Sequence, residues 1–212
     1  MAKSRIQSIA EELRNHAPYT FFGTLTGIVI MALLVQLHAP RSFSTRLFWT
    51  LHPLHVVLSA LVTTAMYRLR GHGGALRILL IGYLGSVGIA TLSDCVIPYL
   101  GELLLDLPHR GLHVGAIEKW WLVNPLALGG IALGYWRPQT KFPHAGHVLL
   151  STWASLFHMT MALGTGFNAA TLVLIGCFLF LAVWVPCCTS DIVFPLLFVK
   201  PSPGEERSHS HH

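Results

Sequence analysis

Apolar residues in this chain run on in long blocks, where a soluble helix would show a single stripe and a half-buried strand would alternate. Six blocks can be drawn, at residues 19–37, 47–67, 76–100, 120–136, 147–165 and 168–199. Each approaches or exceeds the roughly 20 helical residues that cross the hydrocarbon core of a bilayer. The pattern predicts an all-α polytopic membrane protein with six transmembrane helices. Pro98 near the end of the third block, and Pro186 and Pro195 in the over-long sixth, remove backbone donors and predict breaks in helices 3 and 6. Ahead of the first block, residues 1–18 carry Ile6, Ile9, Ala10 and Leu13 at helical spacing, as in a short amphipathic segment lying on the cytoplasmic surface. Residues 201–212 are polar and proline-bearing, and read as a disordered cytoplasmic tail in which His209, His211 and His212 are at most weak metal scavengers.

Composition sharpens this picture. Of 212 residues, 53% are hydrophobic and 11% charged, with a mean hydropathy of +0.58. An average soluble domain is about 25% charged, so a water-facing surface cannot be assembled from this chain. The net charge of +5 does not point to nucleic acid, because the basic residues stand singly between apolar blocks, where they act as orientation signals. With the N-terminus inside, Lys3, Arg5, Arg14, Arg68, Arg70, Arg77, Arg137, Lys141, Lys200 and Arg207 lie on the cytoplasmic side. Only Arg41, Arg46, Arg110 and Lys119 lie opposite, which favours both termini in the cytoplasm of an inner or plasma membrane. Trp49, Trp120, Trp121 and Trp136 fall at span ends, where amphipathic rings belong. The four cysteines all sit within apolar blocks, which excludes an extracellular disulfide framework, and residues 1–18 are too polar for a cleavable signal peptide.

Comparing the chain with itself reveals a repeat. His52-Pro-Leu-His55-Val-Val-Leu-Ser59 opens the second block and His144-Ala-Gly-His147-Val-Leu-Leu-Ser151 the fifth, 92 residues later. Ser93-Asp94-Cys-Val-Ile-Pro98 closes the third block and Ser190-Asp191-Ile-Val-Phe-Pro195 the sixth, 97 residues later. Spans 1 and 4 share only glycine-rich faces, Gly23 and Gly27 against Gly129, Gly130 and Gly134. Residues 19–110 thus form a first three-helix repeat and 111–200 a second. Three crossings are an odd number, so the second copy is inverted, the plan of many secondary transporters. Orientation places His52, His55 and Asp94 in the outer half of the membrane and His144, His147 and Asp191 in the inner half, one His-His-Asp cluster in each leaflet.

Histidines at i and i+3 share a helix face, and a carboxylate from a neighbouring helix completes a three-ligand metal set. Nitrogen with oxygen suits Zn²⁺ first, and also Fe²⁺, Mn²⁺, Co²⁺ or Ni²⁺, over Mg²⁺ or Ca²⁺. Ser59 and Ser151 extend the same stripes one turn on. Pro98 and Pro195 each follow an aspartate by four residues, so in an α-helix the main-chain oxygens of Asp94 and Asp191 lose their donors. Cys187, one turn before Asp191, is a further ligand candidate, although packing is the ordinary role of Cys187 and Cys188. His158 is either a third inner histidine or a hydrogen-bonded core residue. His38, His72, His109 and His113 read as solvated loop residues, and Glu102 and Glu118 as solvated charges bracketing the outer loop.

The leading functional expectation is a secondary transporter for divalent transition-metal cations, coupled to protons because ligating groups release them on binding metal. An intramembrane zinc-dependent hydrolase acting on a lipid and a haem-binding electron carrier are the alternatives. No GxxxxGK[ST] phosphate loop is present, so the chain hydrolyses no nucleotide. The expected partners are the lipid bilayer, the metal ion and protons, and a homo-oligomeric state is compatible with the composition.

Overall fold

A computed structural model of the chain describes residues 5–70, 74–138, 141–163 and 169–188, with Phe194 and Phe198. The described residues contain helices and no strand. Helix α1 spans Arg5–Gln36, α2 Arg41–Arg70 and α3 Ala75–Leu104. A single turn, α4, covers Gly115–Glu118 and leads into α5, Trp120–Trp136. Helix α6 spans Lys141–Ala162 and α7 Ala169–Cys188. Four of these helices are long and apolar enough to cross a membrane: α1 from Ala17 onward, α2, α3 and α7. Helix α5 has only 17 residues. Helix α6 is enriched in buried Ser, Thr and His, because α1, α2, α3 and α7 surround it and take the lipid-facing role.

The bundle is apolar outside, and its partly apolar core encloses a polar cluster. On α1, Phe21, Phe22, Leu25, Val29 and Leu33 are each more than half exposed, while Gly23, Thr24, Gly27 and Met31 on the opposite face are buried. Inside lie Asp94, His52, His55, His147, Ser151 and Ser155, all completely buried. Only hydrocarbon is a suitable solvent for that outer face. Some interior hydroxyls bond back along their own helix, as Thr152 does to the Val148 carbonyl (2.8 Å). Exposed Trp120, Trp121 and Trp136 stand at the ends of α5, and the Lys119 ammonium lies over the rings of Trp49 and Trp121 at 5.4 and 5.8 Å.

The expected proline breaks are not found among the described residues. Helix α3 runs through Pro98 because its backbone widens beforehand into two π-turns, Leu84–Gly88 and Leu92–Val96. In the second, the Ile97 N–H reaches back five residues to the Leu92 oxygen. The carbonyl that Pro98 fails to serve in this register is that of Ser93, not of Asp94. The Ser155 hydroxyl of α6 lies 3.0 Å from that oxygen and 2.8 Å from its own helix's Ser151 oxygen. Pro186 is carried inside the last described turn of α7, two residues before Cys188, whereas Pro195 lies outside the described residues. The amphipathic segment and the first span form one helix through Pro18, and the Trp184 indole of α7 donates to the Leu13 carbonyl of that helix at 2.8 Å. Residues 201–212 lie outside the described residues.

Glycines allow close helix contacts, and Gly130 and Gly134 meet a neighbouring backbone. A Cβ on Gly130 would lie 2.5 Å from the Val57 carbonyl and 2.9 Å from the Ala60 Cβ. One on Gly134 would lie 2.5 Å from the Leu61 carbonyl and 3.1 Å from the Thr64 Cβ. Helix α5 therefore seats its backbone directly on α2, the small-xxx-small mode of membrane packing. Gly23 and Gly27 face side chains of α6 less tightly, with would-be contacts of 3.0 Å to Thr152 and an ordinary 3.5 Å to Leu156. Gly129 faces open space and takes no part. Replacing Gly130 by Leu is expected to cost about 1–3 kcal/mol through forced separation of α5 from α2. Gly129→Leu should leave stability unchanged. Thermal unfolding of both variants in detergent checks the contrast, and equal melting temperatures would refute the packing.

Candidate metal centre

Three helices converge on Asp94. The π-turn of α3 turns its carboxylate inward, α2 supplies His52 and His55, and α6 supplies Ser151. Because a carboxylate can only accept, both imidazoles donate from Nδ1 to its Oδ2, His52 at 2.9 Å and His55 at 2.6 Å. Its Oδ1 accepts from the Ser93 hydroxyl at 2.7 Å and the Ser151 hydroxyl at 2.9 Å. Four donors fill the roughly four lone-pair directions that a carboxylate offers. All five residues are fully buried.

Behind His55 the cluster continues. The His55 and His147 rings stack with centroids 4.6 Å apart and planes 29° off parallel. The Cys187 thiol of α7 lies 3.5 Å from the Ser151 hydroxyl oxygen, to which it donates. Among the described residues, two groups of buried side chains hold potential ligand atoms within 4.8 Å of one another: His52, His55 and Asp94 in one, His55, His147 and Cys187 in the other. His55 belongs to both.

The structure brings His52, His55 and Asp94 together, and places Ser151 and His147 of the second HxxHVxLS stretch in the same cluster. The repeat alone predicts separate clusters in separate leaflets, but the described residues of both motifs meet, because α2 and α6 lie side by side in the centre of the bundle. The side chain of His144, and Asp191 altogether, lie outside the described residues. Ser59 is buried, and its hydroxyl has no hydrogen-bond partner among the described residues.

His158 does not join the cluster. Its Nδ1 donates to Glu102 Oε1 at 2.8 Å, and Glu102 Oε2 accepts the Gly111 N–H at 3.1 Å. Glu102 is 1% exposed, so its assignment as a solvated charge is corrected. A carboxylate one turn beyond Pro98 on α3 can be buried because the neighbouring loop and α6 both donate to it. Phe48 stands between the two centres, stacked on His52 at 5.4 Å and edge-on to His158 at 5.2 Å. His113 pairs with Glu118 at 3.3 Å near the surface, while His38 and His109 are exposed. Searches of protein-family models, curated proteins and solved structures find no match to the chain.

Exchanging Asp94 for Asn puts an amide donor where an imidazole N–H or a hydroxyl now donates. Breaking a buried charged network of this kind costs about 3–5 kcal/mol. Ser151→Ala removes one donor of four and is expected to cost nearer 1 kcal/mol. Chemical or thermal unfolding in detergent ranks the two, and an Asp94→Asn protein as stable as the parent would contradict the four-donor arrangement.

Proposed function

We propose that this protein is a secondary transporter for divalent transition-metal cations, with the His/Asp/Cys cluster between α2, α3, α6 and α7 as its transit site. The observation that carries the reading is two ligand groups fused through His55 and buried in a bundle with a lipid-compatible exterior. Ionisable side chains at such a position are costly and mark substrate paths in membrane proteins. Ligation of metal by the imidazoles and thiol displaces protons, which couples flux to a pH gradient.

The packing also supports two halves related by inverted duplication. Gly23 of α1 meets Thr152 of α6, and Gly130 of α5 meets Ala60 of α2; Gly27 meets Leu156, and Gly134 meets Thr64. Ala60 and Thr152 are 92 residues apart, as are Thr64 and Leu156, matching the spacing of the HxxHVxLS motifs. The stacked pair His55 and His147 has the same separation, so it joins one position of the repeat to its own copy. An alternating-access transporter uses such a contact between halves, and both termini in the cytoplasm suit the charge distribution. A haem carrier is disfavoured, since imidazoles stacked 4.6 Å apart leave no room for a macrocycle between them.

Reconstituted into liposomes, the protein is expected to move Zn²⁺, with Asp94→Asn and Asp191→Asn each lowering flux by about 10–100-fold. A fluorescent indicator inside the vesicles reads this. Unchanged flux in both variants overturns the transport reading, and cleavage of the vesicle lipid without flux replaces it with the hydrolase.

A further inference from the structure

Asp94 is the residue a sequence reader would choose first as a metal ligand, yet its oxygens are already committed. Two imidazole N–H groups and two hydroxyls occupy it, so an ion at the carboxylate would have to displace at least one of them. The same bonds decide what the histidines can do. With Nδ1–H held by Asp94, the lone pair of each imidazole lies on Nε2. A carboxylate that fixes the tautomer and aim of an imidazole from behind is the common outer-shell partner of a metal-binding histidine.

For His52, that Nε2 points at α4, where a Cβ on Gly115 would collide with it. The His55 Nε2 is buried without a hydrogen-bond partner among the described residues, and its ring faces His147. The ligand atoms of His55, His147 and Cys187 lie within 4.8 Å of one another, each from a different helix. The thiol can give up its proton without unravelling the network, because the Ser151 hydroxyl hydrogen is directed to Asp94 at 2.9 Å and Cys187 meets that hydroxyl at its oxygen.

We infer that the metal-binding set is His55 Nε2, His147 and Cys187 Sγ, and that Asp94 orients it without touching the ion. This inference rests on the transport reading for its cargo and deepens it in two ways. The ligands come from α2, α6 and α7, so the ion is held between the halves and not within either. Two imidazoles with a thiolate select Zn²⁺ and Cd²⁺ over Mn²⁺, Fe²⁺ or Mg²⁺, a narrower class than nitrogen and oxygen alone would take. Three protein ligands leave a tetrahedral ion one open position, as suits an ion that must leave again.

Co²⁺ titrated into the purified full-length protein is the probe. A thiolate-to-cobalt charge-transfer band in the near ultraviolet is expected, lost in Cys187→Ser and retained in Cys95→Ser and Cys177→Ser. Asp94→Asn should keep the band while weakening Co²⁺ binding by about 10–100-fold, the usual effect of an outer-shell change. Zinc-edge absorption on the unaltered protein should show one sulfur neighbour, and this measurement does not depend on any variant folding. Stoichiometric Co²⁺ or Zn²⁺ binding with no sulfur neighbour overturns the ligand set, even if Zn²⁺ flux persists and the transport reading stands. The band present without flux supports the set and overturns transport. No metal binding by any of these measures overturns both.

Discussion

A carboxylate sealed among helices in hydrocarbon has no water to solvate it, and every lone pair left bare costs free energy of the order of a kcal/mol or more. Asp94 meets that constraint with four donors drawn from three helices. The requirement dictates much of the surrounding architecture. Helix α2 must present two histidines on one face, α6 must bring a serine to the opposite carboxylate oxygen, and α3 must rotate its aspartate toward both. The π-turn at Leu92–Val96 contributes to that rotation, and it shifts the missing proline donor to a carbonyl that Ser155 can reach. One local widening therefore serves the side chain and the backbone together.

Close approach is the second requirement. Hydrogen bonds of 2.6–2.9 Å around Asp94 need helix backbones held at short range, and glycine is what permits that in a membrane, where lipid tails give little hydrophobic drive to associate. Gly130 and Gly134 seat α5 on α2, and Gly23 and Gly27 seat α1 on α6. The two central helices are thus each backed by a glycine-faced neighbour, and they meet each other through His55 and His147. The chemistry sits where the two supported helices touch, so packing outside the cluster determines distances inside it.

Four of the six expected spans, and the motif-bearing residues, were legible in the sequence because each rests on a one-dimensional signal. Apolar runs of bilayer length announce helices, and HxxH fixes two imidazoles on one face whatever the rest of the chain does. What failed to show was everything set by approach between distant segments. Glu102 read as solvated because nothing local announces its two donors, His158 at 56 positions' remove and the Gly111 N–H. Cys187 was legible as a ligand candidate only beside Asp191, because its nearness to His55 and His147 exists only once α7 lies against α2 and α6. Pro98 predicts a break only in an α-helical register, and a π-turn carries the chain past it. Among the glycines, sequence could group Gly129 with Gly130 and Gly134, but only the helix surface facing α2 separates the two that matter from the one that does not.

Charge balance bears on why, in the proposed site, an aspartate would stand beside the ion but outside its ligand shell. A divalent cation among neutral imidazoles would bring two positive charges into a low-dielectric core, a burden that ligation by nitrogen alone does not neutralise. In the proposed site a Cys187 thiolate would supply one negative charge in contact with the ion, and Asp94 would supply the second through the His55 ring it holds at 2.6 Å. Direct ligation by both anions would bind the ion more tightly than transit allows. Relaying one charge through an imidazole would keep the proposed site neutral while leaving the cation held by only three protein atoms. The four hydrogen bonds that occupy Asp94 would therefore suit it to the proposed role, since they keep the carboxylate fixed and one ring away from the ion.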